Sequence, residues 1–227
     1  LEISTQGVEW SKGVSHFKYP AYDFKSFDPD RDSELRHDLI SSATHRANAY
    51  IKGVPTAHNK ATPERELMVQ LNSGLENLTF SDLLINANFR RFTTEMLPVL
   101  RSRKCIVVAN FRAKPSSFST EWSHVAVGDN FFGKYTETLT EALRQVLQLP
   151  RGSLVLGSAS SLTNIIGHKI SLERPDMTLI DVGTSLHPQL GLGAPKRDYF
   201  EQINPWSRHN AKAKVAYYLG GSSRFRW

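Results

Sequence analysis

Apolar and polar positions along the chain alternate between short, continuously apolar runs and longer segments with helical period. The clearest case is the stretch 154–188, LVLGSASSLTNIIGHKISLERPDMTLIDVGTSLHP. An apolar run at 154–156 stops at Gly157, and a loop of small residues follows: Gly157, Ser158, Ala159, Ser160 and Ser161. Leu162, Ile165, Ile166, Ile170 and Leu172 then recur at helical spacing, and a second apolar run at 177–180 ends in Asp181, Gly183, Thr184 and Ser185. Strand, loop, helix, strand and polar loop make a βαβ unit. Runs this continuously apolar suit strands covered on both faces, so the host is a parallel sheet. Ligands of such sheets bind at the carboxyl ends of the strands, where both polar loops fall, and amides opening the helix would face an anion. The loop has neither the GxGxxG nor the GxxxxGK[ST] spacing. A plain tight turn with a serine cap explains it about as well as phosphate binding does.

The remaining pattern repeats the theme. Ser33 is placed to cap a helix over 33–49 with Leu35, Leu39 and Ile40 on one face, a short strand is expected at 49–54, and Pro63 opens a helix that runs to about Leu71. A segment at 80–87 gives way to Asn88 and two arginines, with Asn86 and Asn88 read as alternating polar positions at a strand end. A helix over 92–100, a buried strand at 105–109 and a short strand at 125–127 come next. The strongest helical pattern is 136–149, with Leu139, Leu143, Val146 and Leu147 on one face and Pro150 beyond its end. A strand or extended segment is expected at 16–19. No repeat is visible. The fold class expected is α/β, with a mostly parallel, Rossmann-like central sheet and helices on both faces.

Composition narrows the setting. The 227 residues suffice for one substantial core,. They are read as one α/β domain over 1–203 with a basic extension at 204–227, as a module of a longer protein. No apolar run reaches the roughly 20 residues of a membrane span, and no secretory signal opens the chain. A cytoplasmic location is the expectation. The single cysteine, Cys105, lies inside an apolar run and reads as a buried core thiol,. The net charge of +6 suits an anionic partner,. Nucleic acid is a minor candidate, because aromatic and basic positions are not interleaved.

Four segments together resemble a known family: GLENLTFSDLLINANFRRF at 74–92, KCIVVANFRA at 104–113, VGDNFF at 127–132, and SLVLGSASSLTNIIGHK leading to MTLIDVGTSLHP. In this order they are similar to sugar-nucleotide-dependent glycosyltransferases of the D-type glycosyltransferase fold. The resemblance covers about two thirds of the chain. It implies transfer of a sugar from a nucleotide-diphosphate sugar to a glycan hydroxyl acceptor, in polysaccharide or glycoprotein glycan synthesis. It also implies Mn²⁺ or Mg²⁺ near an N-terminal Asp-x-Glu; at the corresponding place Ala21 stands for the first acid and Asp23 alone remains. The alternative is a non-catalytic nucleotide- or carbohydrate-binding module of a larger glycan-synthesising protein, since such folds can lose catalysis and keep the cleft.

Within that reading the residues take roles. Breaking the sugar–phosphate bond leaves charge on the diphosphate, which the 157–161 loop is placed to stabilise. A carboxylate must accept the acceptor's proton, and Asp181 and Asp129, each just beyond a strand, are the candidates. Asn86, Asn88, Asn110 and Arg112 are candidates for donor hydroxyls, base or phosphate, with Gly183, Ser185 and His187 from the last loop.

Overall fold

A computed structural model describes residues 31–54 and 62–192. The readings at 16–19, at Asp23 and at the basic extension 204–227 lie outside the described residues.

Four parallel strands form the central sheet: β3 (Cys105–Asn110), β4 (Trp122–Val127), β5 (Leu154–Ser158) and β6 (Thr178–Asp181). Their spatial order is β4-β3-β5-β6. Two earlier strands, β1 (Lys52–Val54) and β2 (Leu78–Phe80), pair in parallel as a separate two-stranded sheet. The expected α/β fold with a parallel, Rossmann-like sheet is what forms, and β5–helix–β6 is the anticipated βαβ unit, with Leu154 opposite Thr178 and Gly157 opposite Asp181.

Helices cover both faces. On one face lie α1 (Ser33–Thr44), α5 (Tyr135–Leu147) and α6 (Ser161–Glu173), packed with Val108, Val125 and Val155 of the sheet. The other face carries α3, which spans 86–101, and the region around α4 (Pro115–Phe118), packed with Cys105, Val107, Ala109 and Leu156. The alternation Val107/Val108 thus feeds two separate cores, as the pleat of a doubly covered strand requires. A further helix, α2 (Thr62–Leu71), joins β1 to β2.

The reading of α6 holds for Leu162, Ile165, Ile166 and Ile170, all buried. Each such side chain contributes roughly 1.5–3 kcal/mol. Leu172 is an exception: it lies off that stripe and is 55 % exposed. Near the chain's start Asp32, not Ser33, occupies the N-cap of α1, and the helix ends at Thr44 rather than at residue 49. β5 does not stop at Gly157 but continues through Ser158, because Val182 donates its amide to the Gly157 carbonyl.

The helix expected over 92–100 is composite. A 3₁₀ turn (Asn86–Asn88) and one α turn (Phe89–Arg91) precede a π turn (Phe92–Met96) and a final α segment (Leu97–Arg101). Pro98 has no amide to donate to the carbonyl four residues back, and the widened turn falls just before it.

Candidate functional site

The order β4-β3-β5-β6 reverses direction between β3 and β5. The chain leaves β3 toward α4 on one face and leaves β5 into α6 on the other. Ligands of open α/β sheets lie in the crevice that such a reversal leaves between the two departing loops. Its lips are Asn110, Phe111 and Arg112 on one side and Ala159, Ser160 and Ser161 on the other.

The β5 lip is held from several directions. A Cβ on Gly157 would lie 2.1 Å from the Thr163 methyl, so only glycine fits. Thr163 Oγ1 accepts the Ala159 amide at 3.0 Å, and Ser158 Oγ donates to the Gly183 carbonyl at 2.7 Å. Ser160 sits at φ 56° and ψ −142°, a conformation that is essentially glycine's own, and its side chain faces solvent,. Ser161 opens α6; its Oγ is buried and has no hydrogen-bond partner. Among the described residues the Ser161 and Leu162 amides find no backbone acceptor either. Unfilled donors at the positive end of a 13-residue helix favour an anion,.

The β3 lip is an ordered polar cluster. Asn110 closes β3, and its Oδ1 accepts the Arg112 amide at 3.0 Å. Its Nδ2 donates to Asp129 Oδ1 at 2.8 Å. Arg112 grips the same carboxylate with both terminal nitrogens, at 2.5 and 2.6 Å. The arginine, followed by Asn110, holds the Asp129 carboxyl below its ordinary value. A carboxylate so occupied is a poor proton acceptor, and it fixes the orientation of Arg112.

Asp181 differs. It ends β6 and accepts the Gly183 amide at 2.9 Å. Its side chain is exposed, and the protein packed around it still pushes its carboxyl above the ordinary value, with the Gly183 amide pulling the other way. Of the two candidate bases it alone has a raised affinity for a proton. The two do not meet: β4 and β6 are the outer strands, three spacings or roughly 14 Å apart,.

Other candidates fall elsewhere. Asn86 and Asn88 are not at a strand end; they form the 3₁₀ turn that opens α3, and Asn88 Nδ2 is spent on the Asp82 carbonyl. The alternation that suggested a strand was too short to tell the two apart. Ser185 is fully buried, and its hydroxyl closes a turn by donating to the Val182 carbonyl at 2.5 Å. Gly183, at φ 48°, begins that 3₁₀ turn, and His187 follows it, half-buried. Among the described residues no three His, Cys, Asp or Glu side chains gather to hold a metal ion. No helix among them is long and apolar enough to cross a membrane.

Two features lay outside the sequence reading. A cavity of about 270 Å³ opens between the starts of α1 and α5, lined by Arg31, Asp32, Glu34, Lys134 and Tyr135 among others, and none of the candidate site residues named from sequence lines it. A cluster of His45, Tyr50, Lys52 and His168 joins α1, β1 and α6: the two imidazoles lie 4.8 Å apart, and Tyr50 shares a hydrogen bond with Ser42. Lys52 is 8 % exposed and donates to the carbonyls of Ala43 and His45 and to Asn72. Comparison with protein-family models, curated proteins and solved structures returned no match.

Proposed function

We propose that the chain is a glycosyltransferase that uses a nucleotide-diphosphate sugar, with the donor in the crevice between β3 and β5. The observation that carries this reading is the pairing of two anion-seeking lips at the reversal of strand order. Arg112 is locked in plane on one lip, and the unfilled amides and hydroxyl of Ser161 open α6 on the other.

In this reading the α6 amides and Arg112 meet the charge that develops on the leaving diphosphate. Asp181 takes the proton of the acceptor hydroxyl; its raised proton affinity brings it nearer to that task than Asp129,. The described residues offer no ligand set for the Mn²⁺ or Mg²⁺ that the family resemblance implies. Asp23, the position the resemblance implies, lies outside them; among the described residues, charge stabilisation is proposed for the side chains and amides named. The occupation of Asp129 by Arg112 and Asn110 favours a second reading, a binding module without turnover.

A thermal-shift panel of nucleotide sugars and nucleoside diphosphates, each with and without Mn²⁺ or Mg²⁺, tests the donor site, because a ligand of the folded state raises the midpoint. A shift confined to nucleotides of one base, accompanied by release of nucleoside diphosphate when a glycan acceptor is added, supports the transferase. A shift without release supports the binding module. No shift at millimolar ligand overturns both.

A further inference from the structure

Phe111 follows the last residue of β3 and is 52 % exposed. Among the described residues, the other exposed large apolar side chains are Ile51, Leu75, Phe80, Leu83, Val99 and Leu172, none of which stands at the carboxyl edge of the four-stranded sheet. An exposed apolar side chain alone needs no explanation. What distinguishes Phe111 is how it is mounted. Its amide donates to the Val127 carbonyl at 2.8 Å, which extends the β3–β4 ladder by one bond and fixes the backbone to two strand ends. The Arg112 guanidinium carbon lies over the ring at 4.5 Å from its centre. That guanidinium is held by both oxygens of Asp129, and Asp129 by Asn110. The guanidinium is layered on the ring, and the carboxylate holds the guanidinium by its terminal nitrogens.

We propose that Phe111, backed by Arg112, is the stacking platform for the heterocyclic base of the donor nucleotide. The inference deepens the donor-site reading and rests on it. A planar heterocycle covers an exposed aromatic face at low entropic cost, because the ring's mounting is already rigid. Any base has a π-face, so the platform supplies affinity without choosing among bases. Its place suits a nucleotide as well: β3 and β5 are neighbours, so the base on Phe111 and the diphosphate at the start of α6 lie on adjacent strand ends. Arg112 then serves twice, backing the ring and turning its remaining N–H groups toward the phosphates.

Calorimetric titration of the full chain with nucleoside diphosphates and with inorganic pyrophosphate tests the assignment. Phe111→Ala is expected to weaken nucleoside diphosphate binding by roughly ten- to a hundred-fold, to leave pyrophosphate binding unchanged, and to keep the thermal midpoint of the parent. Phe111→Tyr, which preserves the ring, is expected to bind as the parent does. If Phe111→Ala binds nucleoside diphosphates as tightly as the parent, the base lies elsewhere and the platform falls while the donor site stands. Equal loss of pyrophosphate binding overturns the platform too, since it would mean a displaced Arg112 and not a lost stack. If the parent binds neither probe, the donor site falls with the platform.

Discussion

Gly157 and Thr163 face each other across the turn from β5 to α6 so closely that a methyl group on the glycine would lie 2.1 Å from Thr163 Cγ2 and 2.9 Å from its Oγ1. Thr163 cannot withdraw freely, because its hydroxyl accepts the Ala159 amide and its own amide donates to the Ser160 carbonyl. Gly157→Ala therefore pushes α6 outward and is expected to destabilise the protein by about 1–3 kcal/mol, the usual cost of overpacking. Thr163→Ser removes the clashing methyl and keeps the hydroxyl. In denaturant titrations the double variant Gly157→Ala/Thr163→Ser should recover part of the loss, a coupling that independent sites would not show.

Ser160 is expected to respond in the opposite direction. A serine at φ 56° and ψ −142° carries strain of order 1–3 kcal/mol that glycine does not,. Glycine also adds freedom to the unfolded chain, which offsets part of the gain. Ser160→Gly should thus raise the unfolding free energy by up to about 1–2 kcal/mol, and Ser160→Ala, which keeps the strain, should not. A midpoint that falls for the glycine variant would show that the conformation is not strained.

The ion pair of Arg112 with Asp129 is exposed enough to do little for stability, so its removal reads out on ligand binding,. Arg112→Lys keeps the charge and loses the planar fork. It should weaken nucleoside diphosphate binding by about ten-fold and barely move the thermal midpoint. Asp129→Asn leaves one oxygen to accept from the fork, so Arg112 loses half of its hold and nucleoside diphosphate binding should weaken by less than in Arg112→Lys,. Loss of turnover in Asp129→Asn at unchanged donor affinity would return Asp129 to the role of base.

How much of this was legible beforehand depended on the range of the interactions involved. The apolar runs that became β3 and β5 and the helical stripes of α5 and α6 are local patterns, and each formed close to where the periodicity put it. The helix around Pro98 was placed correctly, but its π turn was not, since a widened turn leaves no periodic trace. Asn86 and Asn88 were misplaced because short polar segments look alike whether they edge a sheet or close a turn. The hold of Arg112 on Asp129 was hidden for another reason. The two are 17 residues apart and meet only because Asn110 and Val127 pair in register at the ends of β3 and β4. The histidine cluster depends likewise on α1 packing against α6.

That cluster makes stability depend on pH. Burial lowers the pKa of both imidazoles; Lys52 lowers His45 further, while for His168 the next cause is His45, with Lys169 and Lys52 adding to it and Asp38 opposing. The folded state therefore binds fewer protons than the unfolded state, whose histidines titrate near pH 6.5. Stability from this source is present above that pH and is lost as pH falls through it toward the lower folded values. Between about pH 7 and 5 the thermal midpoint should fall, and His168→Gln should flatten that fall. An equal slope in the variant would place the pH dependence elsewhere.

Asp181 reverses the sign. Its carboxyl titrates higher in the folded protein than in the unfolded chain, so the folded state holds its proton more firmly. The stability it contributes is present below the unfolded value, near pH 3.9, and is lost as pH rises through the folded one. At neutral pH the charged form is a small net cost, because the exposed side chain is screened by solvent,, and Asp181→Asn, which can still accept the Gly183 amide, should raise the midpoint there slightly and lose that advantage in acid,. The same substitution removes the proposed base. Turnover of a nucleotide sugar should fall by roughly a hundred-fold or more, the usual share of general base catalysis, while the affinity for the nucleoside diphosphate stays at the parent value. A variant that is more stable, binds normally and does not turn over is the signature of a carboxylate held for catalysis at a cost to the fold. A variant with full turnover would remove Asp181 from the chemistry.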